Sequence, residues 1–316
     1  MDPESQKYTA IATPFGNYEY TTMPQGLTNS PATQQRRVNS ALHHLLNDTA
    51  IPYVDDIVIY GANTIEEHKI KIKAVFDAFR KDKLLANPKK SKLIATTLDV
   101  LGHVMSPEGL EADPKKINTV TTWPTPKNKK EVQCFMGFVN WIRKFIPQLS
   151  TYAAILTKIH AKKTRFHWGP TQQEAFDKIK KIIKEVGSLQ NIDYDSPDPI
   201  WLITDASNTG IGGILAQGPE WDNAKPIEFE SRQYNNAQKS YPTHEQELLA
   251  IMVCLKKWRN MLLHQPFKIC TDNKSLKYLM SQRDLSPRQS RWVSCRNSTS
   301  PSPISRASSI RQQTDY

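Results

Sequence analysis

No Cys-x-x-Cys pair occurs in this chain, and its four cysteines, Cys134, Cys254, Cys270 and Cys295, are scattered. That spacing argues against a zinc site and a disulfide framework, and fits a reducing compartment. Long apolar runs are also missing. The longest, Leu248 to Leu255, falls far short of the ~20 residues that span a bilayer, so no membrane partner is expected. The opening Met1-Asp2-Pro3-Glu4-Ser5 lacks the basic and apolar regions of a secretion signal. There is no solenoid period. Acids are nearly absent from one stretch: between Lys115 and Arg165 eleven Lys or Arg stand against Glu131 alone. That local +10 accounts for nearly the whole formal charge of +11. Charge gathered in one place favours a phosphate-tracking face over general solubility, and points to nucleic acid.

What is present is periodic. At 316 residues and 38% apolar content there is room for two cores. Tyr8 to Tyr20 alternates around Pro14-Phe15-Gly16-Asn17, residues 32–46 look helical, and Ile51 to Tyr60 reads as a hairpin around Asp55-Asp56. Thr64-Ile65-Glu66-Glu67 is a capping box, opening a helix with Ile72, Val75, Phe76 and Phe79 inward. Asn87-Pro88 breaks the pattern, and short strands are expected at Lys92–Ala95 and Val100–Met105. Further helices place Val132, Phe135, Met136, Val139 and Ile142 on one face and, after Thr171-Gln172-Gln173-Glu174, Phe176, Ile179, Ile182, Ile183 and Val186 on another.

A new unit is expected after Pro197-Asp198-Pro199: a strand ending in Asp205, a Gly-rich turn and strand from Gly210, a helix capped at Thr243, and a strand Phe267–Thr271 ending at Asp272. Acids at strand ends, and one in a first helical turn, stand where open sheets keep active sites. Residues 293–316 hold seven serines and no apolar period, and read as disordered.

Tyr53-Val54-Asp55-Asp56 is the sharpest local motif. Two adjacent carboxylates in an apolar hairpin suit a hard divalent cation, though a bare Asp-Asp pair is more often an ordinary turn. Its surroundings carry more: Met23-Pro24-Gln25-Gly26-Leu27-Thr28-Asn29-Ser30-Pro31-Ala32 lies upstream, and Asn87-Pro88-Lys89-Lys90 and Leu101-Gly102-His103 lie downstream. Thr204-Asp205-Ala206-Ser207, His244-Glu245-Gln246-Glu247 and Thr271-Asp272-Asn273-Lys274-Ser275 follow in order. Over residues 2–292 the sequence resembles the Pol polyprotein of gypsy-type (Metaviridae) LTR retrotransposons, reverse transcriptase followed by ribonuclease H.

The resemblance implies an α/β (α+β) chain: an incomplete reverse-transcriptase palm at 1–110, a helical thumb or connection at 111–190, a ribonuclease H-like mixed sheet with flanking helices at 191–292, and the disordered tail, with a frame shift near residue 293 as one explanation of its composition. It implies RNA-directed DNA polymerase and RNA–DNA hybrid endoribonuclease activity. Asp55 and Asp56 would hold metal in one site, Asp205, Glu247 and Asp272 in the other, with two Mg2+ or Mn2+ per intact site. Gln25 and Gly26 would line the nucleotide pocket. Lys127, Lys129, Lys130, Arg143, Lys144, Lys162, Lys163 and Arg165 would contact nucleic-acid backbone. Implied partners are an RNA template, a DNA primer, RNA–DNA hybrid and deoxynucleoside triphosphates, in an intracellular, cytoplasmic or nuclear, particle-associated setting.

The family's third palm aspartate and fourth ribonuclease H aspartate have no counterpart here, and Gln34 stands where the family usually has Phe. Impaired activity is therefore expected, and the chain alone is expected not to extend a primer. The alternatives are a degenerate, non-catalytic product that still binds hybrid, and a host-adopted protein that uses the fold for protein contacts.

Overall fold

The computed structural model describes residues 1–159, 165–263, 266–271 and 307–312. The chain divides into two compact units, Met1–Thr96 and Thr97–Tyr316.

The first unit begins with a short helix α1 (Pro3–Gln6) and a small hairpin, β1 (Ile11–Thr13) with β2 (Gly16–Tyr18). Helix α2 (Ser30–Ala41) follows, then the hairpin β3 (Ala50–Tyr53) and β4 (Asp56–Ile59), then helix α3 (Ile65–Lys81). The Thr64 hydroxyl accepts from the Glu67 amide at 3.2 Å, and the Glu67 carboxylate accepts from the Asn63 amide at 2.9 Å. Two donors left over at the start of α3 are thereby satisfied. The core of the unit is small: Val38 and Leu42 at the end of α2, Ala50 of β3, and Val75, Ala78 and Phe79 of α3.

Two expectations change here. Residues 92–95 form no strand; Leu93 and Ile94 are exposed, and the Leu93 carbonyl is bonded to the His68 ring at 2.9 Å rather than to another strand. The carboxylate hairpin, expected at one edge of an antiparallel sheet, is among the described residues a two-stranded sheet of its own.

The second unit opens with a three-stranded antiparallel sheet, β5 (Leu98–Val100), β6 (His103–Ser106) and β7 (Gly109–Ala112); the single strand expected at Val100–Met105 is broken by a turn at Leu101-Gly102, and β7 was not foreseen. Four helices follow: α4 (Pro114–Thr121), α5 (Lys129–Trp141), α6 (Leu149–Ile159) and α7 (Pro170–Lys184). Asn128 caps α5 by accepting from the Glu131 amide at 3.0 Å. Helix α7 starts before the expected Thr171, because Gly169 donates its amide to the Gln172 side chain at 3.0 Å. Val132, Phe135, Met136, Val139, Ile142, Phe176, Ile179 and Ile183 are buried together, as their spacing foretells.

A five-stranded mixed sheet completes the unit, in the order β10 (Lys225–Gln233), β9 (Gly210–Gln217), β8 (Ile200–Ala206), β11 (Phe267–Thr271), β12 (Ala307–Gln312). Strands β8, β9 and β10 are antiparallel neighbours, while β11 pairs in parallel with β8 and β12. The expected disorder of 293–316 thus excludes residues 307–312, which extend the sheet beyond β11. Helix α8 (Thr243–Lys257), continued by α9 (Arg259–Leu262), buries Leu248, Ile251, Cys254 and Leu255 against Ile200, Leu202 and Leu215. A Cβ on Gly213 would overlap the Cys254 sulfur, so only glycine lets α8 lie this close to β9.

The helices and the sheet share a joint. Ser231 of β10 donates its hydroxyl to that of Ser150 at 2.6 Å and accepts from the Ser150 amide at 2.8 Å, both groups buried. Gln233 donates to the Ser150 carbonyl at 3.0 Å, and Phe229 packs on the helical core.

Candidate functional site

The structure places the sequence's acids in two separate settings. Asp55 and Asp56 are exposed at the tip of the β3–β4 hairpin, where Tyr53 pairs with Asp56 and Val54-Asp55 make a two-residue turn. Val54 has φ +52°. That turn position favours glycine, and a β-branched side chain there costs about 1–3 kcal/mol. Gln35, which sequence reasoning passed over in favour of its neighbour Gln34, lies beneath the turn. Its side-chain oxygen accepts from the Val54 amide at 2.6 Å. Its NH2 group donates to the Pro52 carbonyl at 3.0 Å and to the Asn39 side chain at 2.8 Å. Hydrogen bonds contribute about 0.5–1.5 kcal/mol each, enough together to offset the turn's cost. Only the Gln-Gln pair one helical step past Ser30-Pro31-Ala32 could have signalled this. Gln25 and Gly26 lie exposed in a turn before α2, Gly26 at φ +98°, and Ser30 closes that turn by donating to the Pro24 carbonyl at 3.3 Å.

Asp205 occupies the penultimate position of β8, opposite Gly212 of β9, and is exposed. Glu247 is buried in α8. The helix begins at Thr243 after an N-cap at Pro242, with no side-chain cap. Glu247 therefore lies one turn in, not in the first turn, and Thr243 is not the cap. Asp272 follows β11 directly but lies outside the described residues.

Tyr234 links the two described acids electrostatically. Its phenol, packed with Ile211, Leu249 and Ala250, is pushed up to about 12 by burial first, then by Glu247 and Asp205. Its hydroxyl and the Thr204 hydroxyl are buried and have no hydrogen-bond partner among the described residues. Buried polar groups of this kind usually mark a site that water, an ion or a ligand completes. Among the described residues no three His, Cys, Asp or Glu side chains are grouped to hold a metal ion.

The basic residues do not share one role. Lys127, Lys130 and Arg165 are exposed, and Lys129 is half-buried. Arg143 instead crosses the joint, donating to the Ser231 carbonyl at 3.2 Å and to Asn140 at 3.0 Å. Lys144 is half-buried; desolvation lowers its pKa, Glu228 opposes that, and Lys257 adds to it. Lys257 bridges Glu228 at 2.9 Å and Glu230 at 2.6 Å. Lys162 and Lys163 lie outside the described residues.

Two parts of the chain match family models, a reverse-transcriptase segment followed by an RNase H-like domain. The chain is similar to the Pol polyproteins of retrovirus-related transposons. Residues 1–105 match the family described as reverse transcriptase (RNA-dependent DNA polymerase), and residues 195–295 match the RNase H-like domain found in reverse transcriptase. The chain is similar to the retrovirus-related Pol polyprotein from transposon 297 of Drosophila melanogaster, 35% identical over 92% of this chain and 27% of that protein. It is also similar to the transposon Tf2-3 polyprotein of Schizosaccharomyces pombe, 33% identical over 84% of this chain and 20% of that protein. The chain thus spans about a quarter of the curated relatives it matches. Solved structures share the fold, among them two of foamy viral protease-reverse transcriptase. Foamy viral protease-reverse transcriptase in complex with double-stranded DNA gives a TM-score of 0.81, 22% identity, and coverage of 100% of this chain and 55% of that one. The same viral protein with RNA/DNA hybrid gives 0.76, 23%, 100% and 42%.

Proposed function

We propose that the chain acts within a gypsy-type retrotransposon Pol protein, as RNA-directed DNA polymerase and ribonuclease H on RNA–DNA hybrid. One observation carries this: a carboxylate hairpin and, in the same chain, a sheet strand bearing Asp205 beside a helix bearing Glu247. The palm, helical and ribonuclease H subdivisions at 110, 190 and 292 belong to the same proposal. So does an intracellular setting.

The donor set is all oxygen, which fits Mg2+ or Mn2+. Asp55 and Asp56 would hold the ion in the first site; Asp205 and Glu247, with Asp272, would hold it in the second. The unpartnered Tyr234 hydroxyl in the field of Asp205 and Glu247 agrees with a site completed by further groups. When bound, such ions stabilise the attacking and leaving oxygens of phosphoryl transfer. The chain's own work is to hold its carboxylates in place and, through Lys127, Lys130 and Arg165, to grip phosphates. Gln25 and Gly26 would face the incoming deoxynucleoside triphosphate.

The test is an RNA–DNA hybrid labelled separately on each strand, incubated with Mn2+. Slow cleavage of the RNA strand alone, lost in Asp205→Asn and Glu247→Gln and retained in Asp55→Asn, is the expected result. Equal cleavage of both strands, or cleavage that survives Asp205→Asn, would refute the ribonuclease H assignment.

A further inference from the structure

We infer that Gln35 is a positioning residue for the carboxylate hairpin, fixing the turn that presents Asp55 and Asp56. The inference rests on the polymerase reading of that hairpin. A two-residue turn leaves the amide of its first residue without a ladder partner, and Val54 is that residue. The Gln35 side-chain oxygen supplies the partner. Its NH2 group is fully used as well, one hydrogen to Pro52 at the base of the turn and one to Asn39 on its own helix. One amide therefore ties the backbone on both sides of Tyr53, up to the Val54 amide, to α2. Helix α2 is itself anchored, since Val38 and Leu42 are buried against α3 and β3.

The consequence follows from the backbone. A valine at φ +52° relaxes toward negative φ when nothing holds it. That rotation would turn the peptide between Val54 and Asp55 and re-aim both carboxylates. Small errors of that kind matter, because a displacement of about 1 Å at a reacting group can cost on the order of a hundredfold in rate. Gln34, half-buried one position earlier, makes none of these bonds among the described residues.

The experiment uses the full chain labelled with 15N. In Gln35→Leu the Val54 amide exchanges its hydrogen about tenfold faster than in the parent, while amides of Val75 and Phe79 in α3 keep their protection. Broadening of the Asp55 and Asp56 amides then needs several-fold more Mn2+. Gln35→Glu keeps the acceptor and loses the donors, so it retains Val54 protection to within about twofold. Unchanged Val54 exchange in Gln35→Leu overturns the inference. Where Gln35→Leu also loosens α3, Gln35→Glu decides, and a loss of Val54 protection as large as that of the leucine variant overturns it. If Mn2+ fails to broaden Asp55 and Asp56 in the parent, the polymerase reading falls, and Val54 exchange still judges Gln35.

Discussion

The two carboxylate sites stand on unequal foundations. Asp55 and Asp56 ride on a two-stranded hairpin above a core of six buried side chains. In the same unit Phe15 is 89% exposed, Tyr53 57% and Leu85 97%. Asp205 and Glu247 are held by a five-stranded sheet and a helix buried along most of its length, backed by a second, helical core through the Ser150–Ser231 joint. A site on a thin scaffold must be fixed by specific hydrogen bonds, as Gln35 does. A site on a thick one is fixed by packing. The first unit should therefore unfold at lower temperature or denaturant than the second.

The sharpest break in that comparison comes from the second unit's core. Phe135 is fully buried, its ring 4.6 Å from that of Phe176. Phe135→Ala should cost about 3–5 kcal/mol and move only the second unit's denaturation midpoint. A shift of both transitions together would deny the units their independence. Gly213→Ala places a methyl against Cys254 and forces α8 outward, at a cost of about 1–3 kcal/mol, and should reduce hybrid cleavage beyond its effect on folding. Cleavage unaltered by Gly213→Ala would mean that the spacing of α8 does not set Glu247.

Smaller changes sharpen the picture. The exposed Lys127 and Lys130 should each add to the salt dependence of hybrid binding, and replacing either with Gln should ease the log–log slope by about 0.9 for each phosphate left unneutralised. Arg143→Gln should act chiefly on stability instead. Thr64→Ala removes the α3 cap, at about 1 kcal/mol, and should lower only the first unit's midpoint.

The smallest effect is a pH dependence. His103 stacks on Trp141 at 4.4 Å, and burial, Lys144 and Lys116 lower its pKa from 6.5 to about 4. The unfolded chain takes up that proton first as pH falls. The second unit's stability from this group is therefore whole above pH 6.5 and declines toward about 4. His103→Phe, which keeps a stacking ring, should flatten the decline, as midpoints measured against pH will show.

Much of this was legible in the sequence because it is local and periodic. The burial of Val132, Phe135, Met136 and Val139 follows from helical spacing, and Asp205 at the end of a strand follows from the apolar run before it. What escaped was non-local. The bond from Gln35 to Val54 joins residues 19 apart in sequence, with no pattern to announce it. The assignment of Arg143 to an internal joint depends on a strand 88 residues away. Leu93 and Ile94 look like a strand because they are apolar, but a strand requires a partner, and the Leu93 carbonyl is bonded to His68 instead. Thr243 has the composition of a cap, yet the helix takes it as its first residue after Pro242.

The most direct measurement is a Mn2+ titration of the labelled chain, read as paramagnetic broadening of backbone amides. The account predicts two separate centres of broadening. One, at Asp55 and Asp56, is removed by Asp55→Asn; the other, at Asp205, Glu247 and Asp272, is removed by Asp205→Asn; and neither substitution affects the other centre. Broadening spread evenly over the chain's acids, or surviving both substitutions, would contradict it.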